Sequence, residues 1–116
     1  MIFKGTYILK KCEINTGVDG KMKEGTLVKE IRTYMEDKGA YMENIWGGGY
    51  QAAGIPDLIG CYKGTFVGIE VKLDYNKPSK LQEVKLQMIN NAGGEGIVAY
   101  GIDDVEKMIE RIDANE

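Results

Sequence analysis

Residues Gly54 to Lys72, GIPDLIGCYKGTFVGIEVK, decide the fold of this chain, because they predict a β-hairpin. The runs Ile55 to Tyr62 and Thr65 to Lys72 are rich in β-branched, aromatic and aliphatic residues, which favour strands. Lys63-Gly64 lies between them, and its glycine supplies the positive φ that a tight hairpin turn requires. The loop has two or four residues, and both symmetric lengths give the same pairing of the strands.

That pairing sets Tyr62 opposite Thr65 and, further from the turn, Asp57 opposite Glu70. Directly opposed residues of an antiparallel pair have Cβ atoms roughly 4.5 to 5.5 Å apart, and like charges so placed are destabilising unless they are compensated. A divalent cation would compensate them. Because side chains alternate along a strand, Lys72 lies on the same face as both carboxylates. The other face of the hairpin is expected to enter the core through Leu58, Val67, Ile69 and Val71.

The composition favours a single globular domain of 116 residues, with 43% hydrophobic and 28% charged residues. There is no apolar run long enough to cross a bilayer and no secretory signal pattern, so we expect a cytoplasmic protein without a membrane partner. The chain has no histidine and only two cysteines, Cys12 and Cys61. Catalytic triads with histidine and histidine metal sites are therefore excluded, and a zinc site or disulfide framework is disfavoured. A metal must be bound by oxygen ligands, which favours Mg²⁺ or Mn²⁺.

The net charge of −3 argues against a nucleic-acid partner, but the charge is unevenly distributed. Residues 1 to 85 contain 13 Lys and Arg against 11 Asp and Glu, whereas residues 86 to 116 contain 2 against 7. A cation held by two of the acids would make the face that carries them positive. We expect the acidic C-terminal part to face away from DNA.

The segment from Lys23 to Lys38 predicts the first helix, and Gly39 supplies its stop. Its apolar stripe consists of Leu27, Val28, Ile31, Tyr34 and Met35. Glu30 lies beside this stripe and is therefore placed to face inward toward a site. The alternative is a solvated glutamate paired with Lys29 or Arg32.

Ala40 to Trp46 predicts a strand, and Gly47 to Gly54 predicts a loop leading into the hairpin. The glycines of this loop would let a nucleic-acid backbone approach closely, with Tyr50 or Trp46 stacking on a base. The alternative is a simple connector.

A helix is predicted from Lys80 to about Asn91. Ser79 is a good N-cap, and Gln82 three residues later completes a capping-box pattern, so Gln82 has a structural explanation as a capping residue. The buried face of this helix is expected to include Leu81, Val84, Leu86, Met88 and Ile89.

Gly96 to Tyr100 is a short apolar run suited to a buried strand, and Asp103 or Asp104 is expected to cap a final helix. The apolar face of that helix is formed by Val105, Met108, Ile109 and Ile112. Residues 1–22 predict an arm with a loop, either a strand added to the sheet edge or a dimer-forming arm.

Pro56-Asp57 followed by Glu70-Val71-Lys72 resembles the PD-(D/E)xK nuclease signature, and GIPDLIG with FVGIEVK is similar to its virus-type replication-repair nuclease branch (VRR-NUC). Pro78-Ser79-Lys80-Leu81-Gln82 resembles the helix-opening motif of that family, which ends in a glutamine. The resemblance covers roughly Glu24 to Tyr100, and the size of the chain is similar to stand-alone members from phages and bacteria.

The resemblance implies an α/β fold with a restriction-endonuclease-like core. We expect a mixed β-sheet, a three-strand meander plus a further strand, flanked by helices on both faces. The element order is α-β-β-β-α-β-α, with an extra N-terminal strand or arm. Residues 1–116 would form one nuclease domain, with the arm and loop at 1–22, the PD-(D/E)xK core at 23–100 and the C-terminal helix at 101–116.

Asp57 and Glu70 are the expected principal ligands of Mg²⁺ or Mn²⁺. The resemblance implies that a glutamate of the first helix reaches the metal, and Glu30 is the matching position, with Glu24 as the second choice. Glu30 would bind directly or through water, and the backbone carbonyl of Val71 would be a fourth ligand.

Lys72 is expected to hold or deprotonate the attacking water and to stabilise the phosphorane. The resemblance also favours a site role for Gln82, which would orient the water or the scissile phosphate.

The implied function is a metal-dependent DNA endonuclease. Two hydrophobically joined copies would present two active sites, which suits a homodimer that resolves Holliday junctions or related branched DNA. A flap, restriction-like or non-selective DNA nuclease of the same fold is the alternative. A non-catalytic DNA-binding module, in which the acids serve structure alone, is a third interpretation.

Overall fold

The computed structural model describes residues 23–45 and 53–116, and within them the predicted element order is confirmed. The arm predicted at 1–22, Trp46 and most of the glycine-rich loop with Tyr50 lie outside the described residues. The elements are α1 (Glu24–Asp37), β1 (Tyr41–Asn44), β2 (Leu58–Tyr62), β3 (Thr65–Val71), α2 (Lys80–Asn91), β4 (Glu95–Ala99) and α3 (Ile102–Ala114). No helix in the described part of the chain is long and apolar enough to cross a bilayer.

The hairpin of β2 and β3 has the predicted turn and the predicted register. Lys63 and Gly64 both have positive φ, 48° and 83°, as a two-residue turn matching the twist of antiparallel strands requires. Tyr62 pairs with Thr65, and the ladder continues outward to Leu58 opposite Ile69. The ladder is shorter than predicted, because it begins at Leu58 and β3 ends at Val71.

The sheet is mixed, as expected, with the strand order β1-β2-β3-β4. β1, β2 and β3 form an antiparallel meander, and β4 pairs with β3 in parallel. One face of the sheet carries the main core, in which side chains from α1 and α3 pack on the apolar side of the hairpin. This core includes Leu27, Ile31, Met35, Leu58, Val67, Ile69, Val71, Val105, Met108 and Ile112.

α2 covers the opposite face, and glycines of the sheet let it approach closely. A Cβ on Gly68 would lie 2.6 Å from Ile89 Cδ1, and a Cβ on Gly96 would lie 2.6 Å from the carbonyl oxygen of Leu86. Because side chains of β3 alternate, this is also the face toward which Glu70 points. The helices therefore flank both faces, and α2 is the helix that reaches the predicted site.

Three details of the sequence prediction are wrong. Of the residues assigned to the buried face of α2, only Leu86 is fully buried and Ile89 half-buried, since the narrow glycine-lined surface admits little more of the helix. β4 lies at the sheet edge, so that only Ala99 is buried. The N-cap of α3 is Gly101, and Asp104 instead accepts a 2.8 Å hydrogen bond from the backbone N–H of Tyr100.

Candidate active site

The open end of the hairpin holds Asp57 in a fixed position. Asp57 directly precedes the last ladder pair, Leu58 and Ile69, and its position in the register is opposite Glu70. Its Oδ2 accepts a 2.9 Å hydrogen bond from the backbone N–H of Val71. The carboxylate of Asp57 thus accepts the hydrogen bond that a backbone carbonyl would accept in a longer ladder. This contact ends the ladder and holds the carboxylate over the end of β3.

Glu70 is the only charged residue of the described chain that is fully buried, with an exposed fraction of 1%. Its Oε2 accepts a 3.0 Å hydrogen bond from Gln82 Nε2 and lies 3.5 Å from Lys72 Nζ. Its Oε1 is also buried but accepts no hydrogen bond from any described residue. A buried acceptor without a donor costs roughly 1 to 3 kcal/mol, so this oxygen is suited to a ligand.

The electrostatics of Glu70 match this arrangement. Burial and, next, the Asp57 carboxylate raise its pKa, and Lys72 only partly opposes them, so that the pKa of Glu70 is about 7. Two carboxylates this close cannot both ionise freely in a buried site, so they share a proton or require a positive charge. A divalent cation bound between them would supply that charge, and the chemistry of the donors fits Mg²⁺ or Mn²⁺.

Lys72 is held by its backbone as well as by its charge. Its N–H donates a 3.1 Å hydrogen bond to the carbonyl oxygen of Ala99, which extends the pairing of β3 with β4 by one residue. The side chain is half-buried, with its ammonium beside Glu70. The structure therefore brings Asp57, Glu70 and Lys72 together, and the backbone of Val71 lies between the last two.

Gln82 completes the predicted capping box and also contacts the candidate site. Its Oε1 accepts a 2.8 Å hydrogen bond from the backbone N–H of Ser79, and its own N–H donates to Ser79 Oγ at 3.1 Å, which completes the capping box. Because Oε1 is engaged by the N–H of Ser79, the amide can only present its Nε2 to Glu70. The cap therefore orients the donor that reaches Glu70, so Ser79, which the sequence predicts only as a cap, also positions Gln82.

Glu30 occupies an inward position but does not complete a three-carboxylate cluster. It is half-buried in α1, and its Oε2 is buried. No group of three or more acidic or cysteine side chains converges among residues 23–45 and 53–116. The reason lies in the layering, since α1 packs on the face opposite to α2, whereas Glu70 points toward α2. Arg32, which is two residues after Glu30, donates hydrogen bonds to the carboxylate of Glu36 at 3.0 Å and to Asn44 Oδ1 at 2.7 Å.

Comparisons with known proteins support the family resemblance. No family model matches the chain, and no curated protein matches it. A solved structure described as a "VRR_NUC domain" is similar, with a TM-score of 0.62 and 26% sequence identity. The match covers 75% of this chain and 94% of that chain, so nearly all of the other domain has a counterpart here. The resemblance drawn from the sequence motifs is confirmed, and so is the nuclease-like fold.

Proposed function

Because this chain has the fold of a VRR_NUC domain, we propose that it is a metal-dependent endonuclease that hydrolyses phosphodiester bonds in DNA. The observation that carries the proposal is the pair of Asp57 and Glu70 at the hairpin end. One carboxylate oxygen of Glu70 is buried without a donor from the described residues, and burial beside Asp57 raises the pKa of Glu70 to about 7. These are the properties of a site that a cation completes.

Mg²⁺ or Mn²⁺ is the proposed cofactor, and Asp57 and Glu70 are its proposed ligands. The carbonyl oxygen of Val71 lies between Glu70 and Lys72 in the chain and would be a further ligand. Glu30 is not proposed as a direct ligand, because α1 packs on the other face of the sheet and Glu30 belongs to no cluster of three acids in the described chain. When bound, the cation would stabilise the negative charge that develops on the phosphoryl oxygens and lower the pKa of a water molecule.

The remaining chemistry is assigned to Lys72 and Gln82. Lys72 is close enough to Glu70 to hold the attacking water or take its proton, and its charge would stabilise the phosphorane. Gln82 donates to Glu70 Oε2, so it would keep that oxygen occupied and leave Oε1 for the cation. Gln82 would thereby position a ligand in addition to orienting the water or the phosphate.

We further propose that the chain acts as a homodimer on Holliday junctions or related branched DNA. The described residues form one sheet flanked by helices and include no second unit for reading a base sequence, so DNA shape would determine substrate choice. Two copies would present two sites to opposed strands. Exposed apolar side chains on the outer side of α2 support self-association, namely Leu81, Val84 and Met88.

The test is cleavage of a labelled four-way junction, a flap and a linear duplex, each with Mg²⁺, Mn²⁺ or Ca²⁺. We expect cleavage with Mg²⁺ or Mn²⁺ and binding without turnover with Ca²⁺. Asp57→Asn keeps an oxygen for the N–H of Val71 but removes a charge, so we expect activity to fall by roughly 10²-fold or more. Asp103→Asn, which changes an exposed acid of α3, is the matched control.

Each alternative has its own outcome in this assay. Preferential cleavage of the flap or equal cleavage of all three substrates would replace junction resolution with another nuclease activity. Sedimentation as a monomer at micromolar concentration would rule out the proposed homodimer. Tight DNA binding without cleavage at any metal concentration would indicate a non-catalytic binding module.

A further inference from the structure

A short turn links the two halves of the candidate site. It comprises residues 73–78, follows Lys72 and precedes Ser79, and we call it the site-edge turn. The N–H of Asn76 donates a 2.9 Å hydrogen bond to the carbonyl oxygen of Leu73 within it. Both flanks are fixed, since the N–H of Lys72 bonds Ala99 and the N–H of Ser79 bonds Gln82. The turn therefore holds its backbone in a defined position at the edge of the site.

Tyr75 projects from this turn into solvent, with an exposed fraction of 79%. Two other tyrosines of the described chain, Tyr34 and Tyr62, are buried in the core at 7% and 4%. The ring of Tyr75 thus contributes little to folding, and its faces are open. An exposed aromatic ring on an anchored turn is a platform on which a planar group can stack.

The position of Tyr75 relative to the reacting groups follows from chain length. Tyr75 is three positions after Lys72 in the chain, so the two Cα atoms are at most about 11 Å apart. One strand of B-DNA carries a phosphate about every 3.4 Å along the axis, so this distance corresponds to roughly three phosphates. A strand cut beside Lys72 therefore has nucleotides within reach of Tyr75.

The charges around Tyr75 favour the same ligand. Lys77 and Lys80 are exposed and form no ion pair with any residue in 23–45 or 53–116, and Asp74 is the only acid between Lys72 and Lys80. Lysine ammonium groups that follow an aromatic residue closely in the chain match a phosphate backbone that carries bases between its charges.

We propose that Tyr75 stacks on a base with a free face in the strand being cut while Lys77 and Lys80 bind nearby phosphates. The inference rests on the proposed nuclease function and specifies its substrate. Bases inside a duplex are already stacked on both faces, so only a base at a branch point, in a flap or in a single strand offers a free face. The preferred substrate is therefore DNA in which a base with a free face, at a branch point, in a flap or in a single strand, lies within about three positions of the cut.

The test is fluorescence anisotropy with a labelled single-stranded oligonucleotide and a duplex of the same length, in Ca²⁺. Stacking on an aromatic side chain is worth about 5- to 150-fold in affinity per base. We expect Tyr75→Ala to weaken binding of the single strand by that factor and binding of the duplex by less than about twofold. Tyr75→Phe keeps the ring and should bind like the wild type. Tyr41→Ala is the matched control, since Tyr41 is 63% exposed and pairs with Cys61 near the opposite end of the sheet.

Lys77→Ala and Lys80→Ala should weaken binding of both DNAs and flatten the salt dependence. The proposal is overturned if Tyr75→Ala leaves single-strand affinity unchanged, if it weakens both DNAs equally, if Tyr75→Phe behaves like Tyr75→Ala, or if the wild type binds no single strand. Failure of the nuclease assignment looks different: a wild type that binds the single strand through Tyr75 but cleaves nothing with Mg²⁺ or Mn²⁺ would refute only the catalytic function.

Discussion

Replacing Glu70 by glutamine should stabilise the metal-free protein at alkaline pH. Glu70 is buried, so its ionised form is unfavourable in the folded state. A glutamine has nearly the same shape. Its amide oxygen could accept the hydrogen bond from Gln82, and its amide nitrogen could donate toward Asp57, as a protonated glutamate does. Glu70→Gln therefore removes a buried charge and its ion pair with Lys72 but keeps these hydrogen bonds.

The magnitude follows from the difference in pKa. Burial and the Asp57 carboxylate raise the pKa of Glu70 from the ordinary 4.5 to about 7 in the folded state. The folded state therefore holds this proton more tightly than the unfolded state, so the associated stability is present below pH 4.5 and is lost as pH rises through 7. At 1.36 kcal/mol per pKa unit, the full loss is on the order of 3 kcal/mol. Most of it falls between pH 5 and pH 8.5.

The assay is urea unfolding of wild type and Glu70→Gln at pH 5 and pH 8.5, with EDTA and then with Mn²⁺. In EDTA, the free energy of unfolding of the variant relative to that of the wild type should rise by about 2 to 3 kcal/mol from pH 5 to pH 8.5. Mn²⁺ should stabilise the wild type and have a smaller effect on the variant. Glu83→Gln, at an exposed position of α2, should show neither effect. A variant that is no more stable than the wild type at pH 8.5 in EDTA would refute the reasoning.

Three further variants test the surroundings of Glu70. Ser79→Ala keeps the backbone N–H that orients Gln82, whereas Ser79→Pro removes this N–H and is compatible with the φ of −69°. In calorimetric titration with Mn²⁺, only Ser79→Pro should bind the ion more weakly than the wild type. Equal affinity of the two variants for Mn²⁺ would contradict this. Gln82→Glu adds a carboxylate beside Glu70, so the pKa of Glu70 measured by ¹³C NMR should rise, and a fall would contradict this. Gly96→Ala places a Cβ 2.6 Å from the carbonyl oxygen of Leu86, so it should lower the free energy of unfolding in urea by about 1 to 3 kcal/mol. A decrease below about 0.5 kcal/mol would contradict this.

The hairpin could be predicted from the sequence because local chemistry determines it. Lys63-Gly64 sets the turn, and a symmetric turn with strand periodicity fixes the pairing out to Leu58 and Ile69, which places Asp57 and Glu70 at the next position of the register. The buried face of α2 could not be predicted in this way. Its apolar residues surround most of the helix, and the close approach at Gly68 and Gly96 decides which of them are covered.

The site was predictable as a set of residues and less so as a set of contacts. Asp57, Glu70 and Lys72 follow from the register, but the bond from Gln82 to Glu70 joins α2 to β3 and depends on tertiary packing. The sequence suggests a capping role and a site role for Gln82 as alternatives, whereas in the structure one side chain makes both contacts, through Oε1 to Ser79 and through Nε2 to Glu70. The position of Glu30 depends on which face α1 covers, and periodicity within one helix does not determine that.

The most direct test of the central claim is calorimetric titration of Mn²⁺ at pH 8 into wild type, Asp57→Asn and Glu70→Gln. If these two carboxylates hold one cation between them, the wild type binds Mn²⁺ and each variant loses at least about tenfold in affinity, which corresponds to about 1.4 kcal/mol. Binding of equal strength by all three proteins would contradict the assignment of the site.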